Sequence, residues 1–114
     1  MPQIICRRIK LKPGSLPKVR EWVQVIHDRQ QEAFATLKDE GVFIESAFLD
    51  HASDGDYLIY YLRAESLSKA SAVVAQSQHD IDRYHRQFQQ ETWESGTTLE
   101  LLIDLEVPRH GDAV

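Results

Sequence analysis

The sequence predicts an α+β domain on the split-βαβ, ferredoxin-like plan. Its order is β-α-β-β-α-β: a four-stranded antiparallel sheet with two helices on one face. Three observations predict it. Two long stretches carry apolar residues at three- and four-residue spacing, as amphipathic helices do. Four shorter stretches are apolar and β-branched or alternate apolar with polar residues. Turn-forming Pro, Gly, Asp and Ser fall between the stretches.

Residues 3–11 form the first strand, whose odd row of Ile5, Arg7, Ile9 and Leu11 puts an arginine among apolar neighbours; Lys12-Pro13-Gly14 ends it. Ser15 supplies an N-cap, with Pro17 tolerated in the first turn. One long helix then runs to Glu40 with a stripe of Leu16, Val19, Val23, Ile26, Phe34 and Leu37. Gln30 lies near the centre of that stripe and His27 on its flank, and Gly41 is a natural stop. Residues 42–50 and 56–64 form the second and third strands around the turn His51-Ala52-Ser53-Asp54-Gly55. Ser66 or Ser68 opens the second helix. Ser77-Gln78-His79-Asp80, close to a capping box, bends or restarts it, and Gly96 ends it. The fourth strand, 98–107, alternates Leu99, Leu101, Ile103, Leu105 and Val107 with Glu100, Leu102, Asp104 and Glu106. The domain is expected to span residues 1–108, with 109–114 a flexible tail.

Composition narrows the function classes. The 114 residues are 42% hydrophobic and 27% charged, which suits one globular domain. The net charge of -5 with no basic cluster argues against a nucleic-acid partner. No apolar run is long enough to span a membrane, and Met-Pro-Gln does not open a signal peptide. The single cysteine, Cys6, excludes an internal disulfide and fits a cytoplasmic location; it reads as a small hydrophobe. His79 and His85 are six residues apart and project to different helix faces, and Cys-x-x-Cys is absent, so no metal or cofactor site is read.

The second and third strands are apolar in both rows: Val42, Ile44 and Phe48 against Phe43, Ala47 and Leu49, then Tyr57, Ile59 and Tyr61 against Leu58, Tyr60 and Leu62. Two helices cover one face of such a sheet. The other is expected to be covered by a second copy of the chain, making a homodimer through the sheet face.

The densest chemistry lies in residues 79–94, HDIDRYHRQFQQETWE, where Ile81, Phe88 and Thr92 share one helix face and Tyr84 and His85 flank it. A helix burying that face must give the phenol and the imidazole hydrogen-bond partners or a cavity. The polar residues this plan turns toward the space between helices and sheet are Arg7, His27, Gln30, Glu45, Tyr84 and His85. Arg83 and Arg86 fall on outer faces, and Trp22 and Trp93 read as packing residues.

The order and its motifs resemble the dimeric α/β-barrel superfamily, and within or near it a bacterial family of unknown function. The residues that carry the resemblance are Lys10-Leu11-Lys12-Pro13-Gly14-Ser15, Gly41-Val42-Phe43-Ile44-Glu45-Ser46, Asp56-Tyr57-Leu58-Ile59-Tyr60-Tyr61, and His79-x-Ile81-Asp82-x-Tyr84-His85-x-x-Phe88-x-x-Glu91-x-Trp93. The resemblance implies two sheets packed face to face and a pocket between helices and sheet in each subunit. The superfamily's sugar mutarotases carry a helix-one His and Leu-x-x-x-Gly, matched here by His27 and Leu37-Lys38-Asp39-Glu40-Gly41, but their tryptophan pairs are missing. Its haem-degrading monooxygenases use a helix-two His with an Asn and a Trp; His85 and Trp93 fit two of these, but the chain has no asparagine.

The residues therefore assign His85, His27 and Tyr84 as candidate catalytic groups, and Arg7, Gln30, Glu45 and Trp93 as candidate ligand-binding groups. Arg7, Glu45 and the two histidines among apolar walls would suit a small polar ligand, anionic or polyhydroxylated, whereas Arg7 paired with Glu45 would be an internal salt bridge. Glu45 beside His85 would hold the imidazole ready to exchange a proton near neutrality. Two readings stand: a mutarotase-like isomerase or monooxygenase-like enzyme, and a non-catalytic dimeric module whose polar interior is a structural network.

Overall fold

The computed structural model describes residues 2–108; the expected tail, 109–114, lies outside them. The elements are β1 (Gln3–Leu11), α1 (Leu16–Asp28), α2 (Gln30–Glu40), β2 (Val42–Ala52), β3 (Gly55–Ala64), α3 (Leu67–Ala75), α4 (Asp80–Thr92) and β4 (Trp93–Thr98). The sheet is antiparallel in the order β2-β3-β1-β4, so the predicted ferredoxin-like class holds.

Two expectations about elements are corrected. The first predicted helix is two, broken at Arg29, whose φ of -109° and ψ of 34° are not helical. The apolar stripe had already thinned there, with only Gln30 between Ile26 and Phe34. The second predicted helix breaks between Ala75 and Asp80, where the break or bend was expected; Ser77 Oγ accepts from the His79 N–H and donates to Asp82. The other correction concerns the last strand. β4 occupies 93–98, and beyond it Leu99 N–H reaches only the Cys6 carbonyl, at 2.8 Å. Residues 99–107 carry no strand pairing, because alternation specifies a face to bury and not a partner edge.

Two glycines are required by position. Gly41 takes φ 74° and closes α2 as a left-handed C-cap, its N–H reaching the Leu37 and Lys38 carbonyls. Gly96 lies inside β4 and does not end a helix. A Cβ there would meet Arg7 Nη2 at 2.8 Å and Ile9 Cδ1 at 3.0 Å.

Register sorts the side chains. Arg7 pairs with Tyr60, Ile9 with Leu58 and Ala47 with Tyr60, so Ile9, Leu58, Tyr60 and Leu62 share a face. That face packs against the helices in two clusters. Ile9, Leu11, Val19, Trp22, Leu58 and Phe88 make one; Val42, Ala64 and Ala70, with Leu37, Leu62 and Leu67 against them, make the other. Trp22 of the first cluster and Leu37 and Leu62 of the second line a cavity between α1, α2, α4 and the sheet.

Candidate functional site

The cavity has a volume of about 520 Å³ and opens partly to solvent. The break at Arg29 brings both segments of the first helical pair to its rim, with His27 from α1 and Gln30 and Phe34 from α2. Val23 and Phe34, expected in the core, are each 51% exposed and belong to this rim. Glu45 reaches in from β2, Tyr60 from β3, and Asp82, His85, Arg86 and Gln89 from α4. Arg86, read as an outer residue, donates to the Val74 carbonyl at 3.3 Å.

Sequence-predicted positions are thus divided. His27, Gln30, Glu45 and His85 line the cavity; Arg7, Tyr84 and Trp93 do not. Arg7 is on the same sheet face but its guanidinium lies over Gly96. Tyr84 packs on the first core cluster. Trp93 stands edge-on to Tyr60 and His85, with centroids at 6.0 and 6.5 Å, and its buried Nε1 has no partner.

The expected Arg7–Glu45 pair does not form. Glu45 instead accepts a short hydrogen bond from the Tyr60 hydroxyl. Glu45 is an exposed residue whose free surface opens on the cavity, while neighbouring side chains crowd its carboxyl. This desolvation pushes its pKa up, against the Tyr60 bond, which favours the charged form. Tyr60 is raised in turn, first by burial and then by the Glu45 charge.

His85 is held differently from the expectation. Trp22 Nε1 donates to its Nδ1 at 3.1 Å, and Gln89 stands 2.9 Å from its Nε2. An indole N–H can only donate, so Nδ1 is the acceptor and the neutral ring carries its proton on Nε2. Gln89 must then present its amide oxygen to that proton, the opposite of the drawn orientation. Burial lowers the imidazole pKa to about 4, with Asp82 partly opposing. At neutral pH the ring is uncharged and locked between two partners, and it is not the near-neutral proton exchanger that pairing with Glu45 would have made it.

Sequence reasoning missed Glu40, the last residue of α2. Its side chain is 9% exposed, lines the cavity, and has no hydrogen bond or ion pair among the described residues. Desolvation raises its pKa to about 7, helped by the negative charges of Asp82, Glu45 and Asp39. A signal was present: a carboxylate in the last turn of a helix faces the negative end of the macrodipole. Tyr60 and Gln89 were also missed. Gln89 sits one turn beyond His85, a spacing that places the two side chains together.

A model of a family of unknown function, DUF6176, matches residues 2–110. The chain belongs to that family. No curated protein matches this DUF6176 sequence. Among solved structures, the DUF6176 chain is similar to an L-rhamnose mutarotase from Formosa agariphila, at 20% identity and TM-score 0.61 over 91% of this chain and 99% of the other. It is similar to an uncharacterised NIPSNAP-like domain protein from Burkholderia xenovorans, at 15% and 0.61 over 94% and 91%. A putative antibiotic biosynthesis monooxygenase from Nitrosomonas europaea stands at 11% and 0.59 over 86% of each chain. Likeness at these identities shows the shared fold. No helix among the described residues is long and apolar enough to cross a membrane, and no group of three or more His, Cys, Asp or Glu among them could hold a metal ion.

Proposed function

We propose that the cavity takes a small uncharged polyhydroxylated molecule and that Glu40 and Glu45 exchange protons with it, an isomerase-type reaction of which mutarotation is the simplest case. The observation that carries this reading is Glu40: a buried residue whose carboxyl has no protein partner, lines the same cavity as Glu45, and has its pKa pushed up to about 7 by burial and neighbouring carboxylates. Opening a cyclic hemiacetal needs one proton removed from the anomeric hydroxyl and one given to the ring oxygen. Two carboxyl groups of raised pKa can do both, with Glu45 accepting and Glu40 donating. Trp22, Tyr60 and Phe34 offer apolar walls to the C–H faces of such a ring, while Gln30 and His27 can hydrogen-bond its hydroxyls.

The lining opposes an anion. Glu40, Glu45 and Asp82 outnumber Arg86, and Arg7 is elsewhere. A monooxygenase-like reading in which His85 binds iron is disfavoured by the residue itself, since a metal on either nitrogen would displace Trp22 or Gln89. The non-catalytic reading asks for a filled and fully satisfied polar core, and a cavity of about 520 Å³ with a partnerless Trp93 Nε1 beside it speaks against that.

Saturation-transfer NMR of anomer exchange in L-rhamnose, D-galactose and D-glucose tests the reading. Faster exchange with the wild-type protein is expected for at least one sugar, falling about 10²-fold or more in Glu45→Gln. Exchange at the buffer rate for all three, without binding, would remove it.

We also propose that a second copy of the chain covers the sheet face opposite the helices. Phe48 there is 61% exposed and Ile44 42%. Beyond β4, Leu101, Leu102, Ile103, Leu105 and Val107 are 58 to 84% exposed. Apolar area of that extent supports a self-complementary interface.

A further inference from the structure

A second cavity, of about 290 Å³, lies on the far side of Glu40. It sits between the end of α2, α3 and the turn into α4, and its lining is polar except for Val73. Thr36, Glu40 and Asp82 line both cavities and form the partition between them. A hollow of this size with Ser77, Gln76, Gln78 and Asp39 on its walls has both the room and the polar partners that water needs. Ser77 Oγ donates to Asp82 and so fixes that carboxylate in the partition, while His79 Nε2 is 3.1 Å from Asp39 Oδ2 at the outer side.

We propose that this second cavity is the water side of Glu40, the path by which its carboxyl exchanges protons with solvent while the larger cavity holds a ligand. The inference deepens the acid–base reading of the larger cavity and rests on it for its use. Glu40 is 9% exposed as a residue, and its carboxyl, without a protein partner, stands in a wall shared by an apolar-walled cavity and a polar one, so one hydrated side is available once a ligand fills the other. Ring closure to the other anomer returns the protons to Glu40 and Glu45, so this path is no part of the turnover itself; it sets whether Glu40 enters the cycle protonated. Glu40 is faced by Asp39 on its own helix, Glu45 from β2, Tyr60 from β3, Asp82, His85 and Arg86 from α4, and His79 from the preceding turn. The nearest charges are carboxylates, so the proton on Glu40 is held by its surroundings and released toward water.

The test is a ¹³C NMR titration of the Glu40 side-chain carboxyl in the intact protein, which needs no sugar. The wild type is expected to titrate near 7, and Asp82→Asn to move the midpoint down. Val73→Phe should displace water from the second cavity and move the midpoint up, with Gln76→Trp as a second filling variant should the first not fold. A wild-type midpoint in the ordinary carboxylate range overturns the inference. So does a midpoint unmoved by filling, which would place the proton traffic of Glu40 in the larger cavity. Should all three sugars exchange only at the buffer rate, the titrations still decide whether the second cavity is the water side of Glu40, and the catalytic reading falls separately.

Discussion

On the helix-covered face of the sheet, Leu58, Tyr60 and Leu62 of β3 meet side chains from α1, α2 and α4, and Glu45, Tyr60 and His85 open onto the cavity between them. On the opposite face, Tyr57, Ile59 and Tyr61 of the same strand face no helix. Polar contacts on that side come from the strands themselves and from the segment after β4. Arg8 lies 3.5 Å from the Tyr57 ring centroid and 3.4 Å from Asp50, and Arg63 binds the Tyr61 hydroxyl. The two faces differ in what completes them. The covered face keeps a hollow beside a dense aromatic cluster, with Trp22 stacked on Phe88 at 4.6 Å, so its incompleteness is small-molecule sized. The opposite face exposes Phe48 and Ile44, and the proposed second copy would complete it on the scale of another sheet. One chain thus leaves two unfilled surfaces of different size, which suit a ligand and a protein respectively.

The sharpest way to break this comparison is to charge the bare face. Phe48→Asp places a carboxylate at the middle of the proposed self-interface, where desolvating it without a partner costs several kcal/mol. Light scattering at micromolar concentration should give about twice the chain mass of 13.2 kDa for wild type and the single mass for Phe48→Asp. Because Phe48 points away from the helices, anomer exchange and the Glu40 titration should survive. A wild-type protein of single-chain mass would remove the second copy as the cover.

Much of this division was legible in the sequence. The period-two rows of β2 and β3 announced a sheet with both faces apolar, and the break at Ser77 was visible as a capping pattern. Residues 3–11 were read with their observed bounds. The long-range parts were not legible. Arg7 and Glu45 fall on one face of the sheet, but two strands' worth of register separates them, and Tyr60 is the directly neighbouring donor. Glu40 gave only its place before Gly41, because its burial depends on α4 closing over α2. Alternation in 98–107 showed a segment with an apolar row, while the strand itself formed earlier, at 93–98, where α4 delivers the chain to the β1 edge.

A second prediction probes the covered face through pH. His85 has a folded pKa of about 4 against 6.5 for the free side chain, so the unfolded chain binds the proton first as pH falls. Its neutral burial is fully favourable above 6.5 and is lost between 6.5 and about 4, a loss of roughly 2–3 kcal/mol. Glu40 acts with the opposite sign: its raised pKa favours the fold at low pH and is lost as pH rises from 4.5 through about 7. The two partly cancel in wild type across the shared window. His85→Phe should remove one of them, so its thermal midpoint should fall less than that of wild type between pH 6.5 and 4. Parallel curves would mean that the fold does not depress the imidazole pKa and that burial behind the Trp22 bond is not what sets it.

The smallest effect is expected at Arg63, which joins the bare face to the segment after β4. Its guanidinium lies 2.7 Å from Asp104 and 3.0 Å from Glu106, with the arginine side chain 12% exposed and the two carboxylates 35% and 51%. Arg63→Gln leaves both acids free to hydrate, and ion pairs with partners this exposed contribute about 0–1 kcal/mol. The fold should therefore melt within about 1 kcal/mol of wild type. Hydrogen exchange separates the two possible anchors of residues 99–107. If a second copy holds the segment, its amides should stay protected in Arg63→Gln and lose protection in Phe48→Asp. If the ion pairs hold it, Arg63→Gln alone should release those amides while the mass stays unchanged, and the segment would belong to its own subunit and not to the interface.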